Sequence, residues 1–237
     1  MALPKLNDVP KYDIVIPSTK VKTKFRPYLV KEEKLLFLAL ESEDEGEIAA
    51  ATLGLCLACI DAELDPVSLT TYDIDYIFCQ VRAKSVGETT TLSIKCEDKE
   101  CKERTDVVIN IAEAYVEGIN FEPMIEINPD VTVEMQHITY LAAQNTLLDK
   151  DNTEIDYLQQ TIMKSMKAIH TENERFELKD SKPEEIVEFL DQMTSTQYDK
   201  LKQFISKIPI VTIDASWDCK CGKKQTMQLK GLQDFFQ

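Results

Sequence analysis

Two tight cysteine pairs, Cys96 with Cys101 in CEDKEC and Cys219 with Cys221 in CKCGK, stand far apart in a chain of 237 residues. If the pairs meet in space, the chain must close a long loop and bring two distant turns together. Both pairs are flanked by alternating residues. Leu92, Ile94 and Cys96 share one parity, and Val107, Ile109 and Ile111 alternate beyond the first pair. Val211, Ile213, Ala215, Trp217 and Cys219 share one parity ahead of the second pair, with Met227 and Leu229 following it. A period of two marks a half-buried strand, so each pair is predicted at the tip of a β-hairpin. Gly222 follows Cys221 where a tight turn needs a permissive backbone.

A tetrahedral zinc ion binds four thiolates at about 2.3 Å, and two facing hairpin tips with two cysteines each are a usual way to supply them. The pattern predicts a split zinc ribbon with Cys96, Cys101, Cys219 and Cys221 as ligands. Four protein ligands leave no open position for water, so the zinc would be structural. The single residue between Cys219 and Cys221 requires a strained or bulged turn to aim both sulfurs at one ion. The competing reading is a relic ribbon whose geometry no longer holds metal.

The other three cysteines read differently. Cys56 and Cys59 have the spacing of a redox motif but lie in IAAATLGLCLACI, an Ala- and Leu-rich stretch without the electropositive setting that activates a thiol. They are expected in the core, as is Cys79 beside Phe78. Seven cysteines is an odd number, and MALPKLNDVPKYD shows no secretory pattern. A disulfide framework is therefore not expected, and synthesis in the cytoplasm is. The longest apolar stretch, Ile48 to Ile60, falls short of the ~20 residues of a membrane span.

A net charge of −15 argues against nucleic-acid binding, which needs clustered Lys and Arg. Residues 35 to 81 contain no Lys or Arg against ten Asp and Glu, and 118 to 200 carry seventeen acids against seven bases. Solvated helix faces and a docking surface for a basic partner both account for these blocks. The basic run Lys20, Lys22, Lys24 and Arg26 fits pairing with the chain's own acidic helices or with an acidic neighbour. Only two histidines, His137 and His170, are present, with no phosphate loop, nucleophile elbow or His-Glu metal helix. No catalytic residues are assigned, and the chain is not expected to be an enzyme.

The expected fold class is α+β, with the split ribbon bracketing a mainly helical insertion and preceded by an N-terminal β-hairpin and helices. Residues 1–87 hold the hairpin (Tyr12–Ile16 with Val21–Phe25) and three helices: one from near Lys31 with a stop at Gly46, one over Ile48–Leu64, and one capped by Ser68 and ending near Gly87. Residues 88–133 hold the first ribbon hairpin and an extended pair, Phe121–Ile127 with Val131–Met135. Residues 134–208 are read as mainly helical, through the periodic series Ile155, Leu158, Ile162, Met163, Met166 and Ile169 and through capping boxes at Ser181–Glu184 and Thr194–Gln197. Residues 209–237 hold the second ribbon hairpin and a tail. One or two compact units accommodate all of this.

Two segments, KFRPYLVKEEKLLFLALES (Lys24–Ser42) and the closing GLQDFF (Gly231–Phe236), resemble the baseplate hub subunit family of T-even-like contractile-tailed bacteriophages. MALPKLN, the hairpin around IPSTK and a cysteine-bearing segment just before GLQDFF are also similar to that family. Its members commonly end with a Cys-x-x-Cys pair, whereas this chain has Cys219-Lys-Cys221. The resemblance implies a structural component of the baseplate central hub in the virion, acting through contacts with hub and wedge proteins in a symmetric assembly. A transient hub-assembly chaperone absent from the mature particle is the alternative; a zinc-ribbon nucleic-acid adaptor is a third. Leu232, Phe235 and Phe236 are candidate partner contacts, with packing on the ribbon as the competing reading.

Overall fold

The computed structural model describes residues 9–98, 100–120, 122–148 and 153–235. The fold is α+β, with eight α-helices and four small antiparallel sheets among the described residues. The chain divides into two compact units, one from residues 1–117 with 210–237 and the other from 118–209.

In the first unit, β1 (Tyr12–Val15) and β2 (Lys22–Phe25) form the expected hairpin. Phe25 bridges Ile60, and the Arg26 N–H donates to Cys59 O at 2.9 Å, tying the hairpin to the end of the second helix. Helix α1 (Val30–Ser42) opens where the Glu32 carboxylate accepts from the Leu29 N–H. It stops at Glu43, in the left-handed region with φ 55°. Gly46 is therefore not the stop: Asp44 caps α2 (Glu45–Cys59) by accepting from the Glu47 N–H, and Gly46 lies in that helix's first turn. An Asp immediately ahead of the first turn, accepting from the N–H three residues on, satisfies orphan amides better than a glycine does.

Helix α3 (Thr71–Ser85) is capped by Thr70 rather than Ser68, because Asp73 can reach back to Thr70 and complete a capping box. Asp73 also accepts from the Ser18 N–H and hydroxyl, at 2.9 and 2.6 Å. One fully buried carboxylate thereby joins the first hairpin to α3.

The two cysteine-bearing hairpins follow their alternation. β3 (Thr89–Lys95) pairs with β4 (Arg104–Asn110), and β10 (Ile210–Asp218) pairs on one side with β11 (Lys224–Lys230) and on the other with β5 (Tyr115–Glu117). Their inner faces, Leu92, Ile94, Val107, Ile109, Val211, Ile213, Ala215, Trp217 and Leu229, share one core with Tyr72 and Cys79 of α3. The tail turns at Gly231 (φ +76°) into the short helix α8 (Gly231–Phe235), which places Phe235 fully buried in that core and Leu232 half-buried beside it.

The second unit departs from the expected mainly helical insertion. Beside α4 (Tyr140–Leu147), α5 (Glu154–Ser165), α6 (Pro183–Asp191) and α7 (Ser195–Ile205), it holds a four-stranded antiparallel sheet. The sheet order is β6 (Met124–Asn128), β7 (Val131–Met135), β8 (Met166–Thr171), β9 (Arg175–Glu177). The extended pair thus belongs with the insertion, and Phe121 lies outside the described residues. Helix α5 stops at Ser165, so Met166 and Ile169 are strand residues. Met166 and Ala168, two apart, also fit one face of a strand, and the edge of β7 with which they pair decides for it. The α6 cap sits one residue later than expected, with the Lys182 N–H donating to Glu185; Thr194 and Gln197 cap α7 as read. Ile127, Val133, Met135, Ile162, Leu190, Leu201 and Phe204 lead a separate core.

Candidate metal centre

Strand parity delivers the cysteines. Lys95 pairs with Arg104 at the end of the β3–β4 ladder, and the Cys96 N–H extends it by donating to Glu103 O at 3.0 Å. The Cys101 N–H closes the turn onto Asp98 O at 3.0 Å. At the other tip the Cys219 N–H donates to Lys223 O at 3.0 Å and the Gly222 N–H to Cys219 O at 2.8 Å. Gly222 has φ +83°, a conformation that disfavours side chains, which explains a glycine there. This turn accommodates the one-residue cysteine spacing.

The four thiol sulfurs converge, all within 4.8 Å of one another. Cys96 Sγ lies 3.9 Å from Cys221 Sγ, and Cys101 Sγ lies 3.8 Å from Cys219 Sγ. A disulfide would require about 2.05 Å. Four sulfurs at about 2.3 Å from a central ion stand about 3.8 Å apart along the edges of a tetrahedron. These two spacings match that edge, all four thiols are free, and the group could hold a metal ion.

Backbone donors reinforce this. The N–H of Asp98 points to Cys96 Sγ, that of Glu103 to Cys101 Sγ, and that of Cys221 to Cys219 Sγ. A metal ligand must be a thiolate, and an amide aimed at sulfur favours that charge. Crowded against one another, the thiols do not all ionise readily. The Cys221 amide and the adjoining thiols bring Cys219 down to about 7, while burial and the other sulfurs outweigh the Asp98 amide and push Cys96 up to about 12. A divalent cation eases that conflict by offsetting half of the four thiolate charges. Cys96 and Cys219 are buried, Cys101 is half-buried and Cys221 is exposed.

Two charged contacts join the tips, and neither was singled out from sequence. Lys223 forms an ion pair with Asp98, holding that carboxyl below its ordinary value, and Lys220 stands 4.0 Å from Glu103. Their signal lay in the composition of the turns: CEDKEC is acidic and CKCGKK basic. Opposite charge thus favours the pairing of the two tips.

The remaining candidates lie elsewhere. Cys56 and Cys59 are buried on α2, where burial pushes Cys56 well up and Cys59 to about 11, and Cys79 is raised by burial on α3. Thiols so raised are poor nucleophiles. His170 sits 2.9 Å from Glu134, and His137 is buried against Phe204 with ring centroids 6.0 Å apart. Arg26, of the basic run, pairs internally with Glu32 at 3.1 Å. A cavity of about 600 Å³ in the second unit is lined chiefly by Met163, Leu178, Pro183, Ile186 and Val187, beside Asp156 and Lys164, without a thiol or imidazole. Of the tail residues, Phe235 has no exposed surface to offer a partner and Phe236 lies outside the described residues. No described helix is long and apolar enough to cross a membrane.

A protein-family model described as T4 bacteriophage base plate protein matches residues 9–237 of the chain. No curated protein and no solved structure matches it.

Proposed function

We propose a function from one premise: the chain belongs to the T4 bacteriophage base plate protein family, whose model spans residues 9–237. It is a structural part of the phage tail baseplate and works with other baseplate proteins. Within the baseplate we assign it to the central hub of a contractile tail, in contact with hub and wedge proteins. The likeness of Lys24–Ser42 and GLQDFF to hub subunits supports that placement.

The four-thiol cage is a structural zinc site in a split ribbon, ligated by Cys96, Cys101, Cys219 and Cys221. Sulfur spacing and three thiolate-directed amides support it. Bound zinc would supply no chemistry here beyond offsetting part of the thiolate charge and cross-linking the turn of Cys96 and Cys101 to that of Cys219 and Cys221.

Quantitative mass spectrometry of purified phage particles, scored against the tail-tube protein, tests the assignment. A small fixed copy number is expected. Absence from mature particles, with presence in assembly intermediates, would make the chain a hub-assembly chaperone instead.

A further inference from the structure

The first turn of helix α1 is polar, with Lys31, Glu33 and Lys34, but from Leu35 to Leu40 the helix is apolar on every side. Glu32 and Ala39 face the protein and are buried, yet Val30, Leu35, Phe37, Leu38 and Leu40 are 64, 63, 55, 62 and 47% exposed. At 100° per residue these five positions spread around the whole outer surface of the helix. A helix that is apolar all round is one that a folded protein buries. Scattered exposed leucines need no explanation, but five large side chains on four turns form a contiguous patch of the kind that marks a protein interface.

Charge restricts what can cover it. The C-terminal end of α1 runs into Glu41, Glu43, Asp44, Glu45 and Glu47, all exposed, and no ion pair to any of them occurs among the described residues. The end of α1 adds partial negative charge and the start of α2 at Glu45 partial positive charge, so the five carboxylates themselves set the charge of this turn. No Lys or Arg occurs from 35 to 81 to offset it. An anionic lipid surface is repelled by such a rim, and two copies of a chain with net charge −15 repel one another.

We propose that α1 docks lengthwise in an apolar groove of a different protein, with Lys or Arg side chains at the groove end that receives residues 41–47. The helix supplies Leu35, Phe37 and Leu38 as anchors, and the acidic turn fixes its direction. The inference names the kind of partner for the protein–protein role proposed above and rests on it.

The test places a photoactivatable phenylalanine analogue at position 38 of the full chain in infected cells, with position 108, an equally exposed valine on β4, as control. Cross-linked peptides are sequenced. The expected result is one phage protein captured from position 38 and not from 108, through an apolar segment with Lys or Arg nearby. Leu35→Glu should cut the yield at least about ten-fold, and Glu41→Lys with Glu45→Lys about ten-fold in a salt-dependent way. Leu35 faces solvent, so Leu35→Glu should melt as the parent does. Glu45→Lys reverses a favourable charge in the first turn of α2, so the double variant should melt slightly lower; loss of capture at a temperature well below both melts is thereby separated from unfolding. Capture of another copy, of this chain's own residues, of lipid, of an acidic segment, or of nothing would overturn the proposal. Capture of a host protein through a basic apolar groove would preserve the surface and sink the baseplate reading. Presence in particles without such capture would do the reverse.

Discussion

Residues 9–117 with 210–235 and residues 118–209 each bury an apolar core, but all seven cysteines fall in the first. The first unit is built from two pieces of chain separated by the whole of the second. The second is one continuous segment whose strands and helices are near neighbours in sequence. Joining distant pieces costs chain entropy before any contact offsets it, whereas local contacts incur little of that cost. The metal staple proposed at the four thiols would therefore have most to contribute in the first unit. The continuous unit relies instead on helix caps and on Ile162, Leu201 and their neighbours.

Metal removal should produce the largest effect and test that contrast directly. Chelation, or Cys219→Ser, should lower the melting temperature and strip amide protection from β3, β4, β10 and β11 while the sheet of the second unit stays protected. Structural zinc contributes on the order of 10 kcal/mol in small zinc-dependent domains, and a unit with its own core should lose only part of that. Hydrogen exchange that is uniform across both units, or purified reduced protein without stoichiometric metal, would break the comparison.

Leu201→Ala is its mirror image. Leu201 is fully buried in the second core, so truncation should cost about 2–5 kcal/mol there and leave metal content unchanged. Metal loss on this substitution would mean that the two cores are one cooperative structure.

A smaller, pH-dependent effect should also be confined to the second unit. Glu134 accepts from Lys167, Arg175 and His170, which hold its carboxyl down at about 2. Its folded value is depressed below the ordinary 4.5, so its stabilisation is present above that value and fades as pH falls towards 2. Melts of the parent and of Glu134→Gln should therefore converge over that interval. Parallel curves would show that the ion pairs contribute nothing.

The smallest expected change comes from the largest alteration. Glu117 pairs directly with Ile210 across β5 and β10, so residues 118–209 leave and re-enter at adjacent points of one ladder. Replacing them with Asn-Gly, which suits a two-residue hairpin turn, should leave the metal-loaded first unit melting within a few degrees of its value in the full chain. An unfolded product would show that the staple alone does not hold the two pieces.

Much of the first unit was legible because its signals are local. The parity of Leu92, Ile94 and Cys96, and of Val211 to Cys219, needs only a period of two, and that parity carries each cysteine to a tip. Capping also reads locally, yet competing candidates such as Ser68 and Thr70 differ only in whether a carboxylate three residues on can return the bond. Gly46 misled because a glycine is a common stop, while here Glu43 takes the left-handed turn.

The sequence by itself determined the hairpins, their cysteines, most helices and the excess of acid, since each follows from residue order over a few positions. Tertiary structure decided what depends on a partner far along the chain: β8 as a strand against β7, Phe235 in the core of the first unit, Asp98 against Lys223, and the exposure of the apolar residues of α1. Backbone and side-chain groups are satisfied by whatever lies opposite them, and residue order alone does not say which segment that will be.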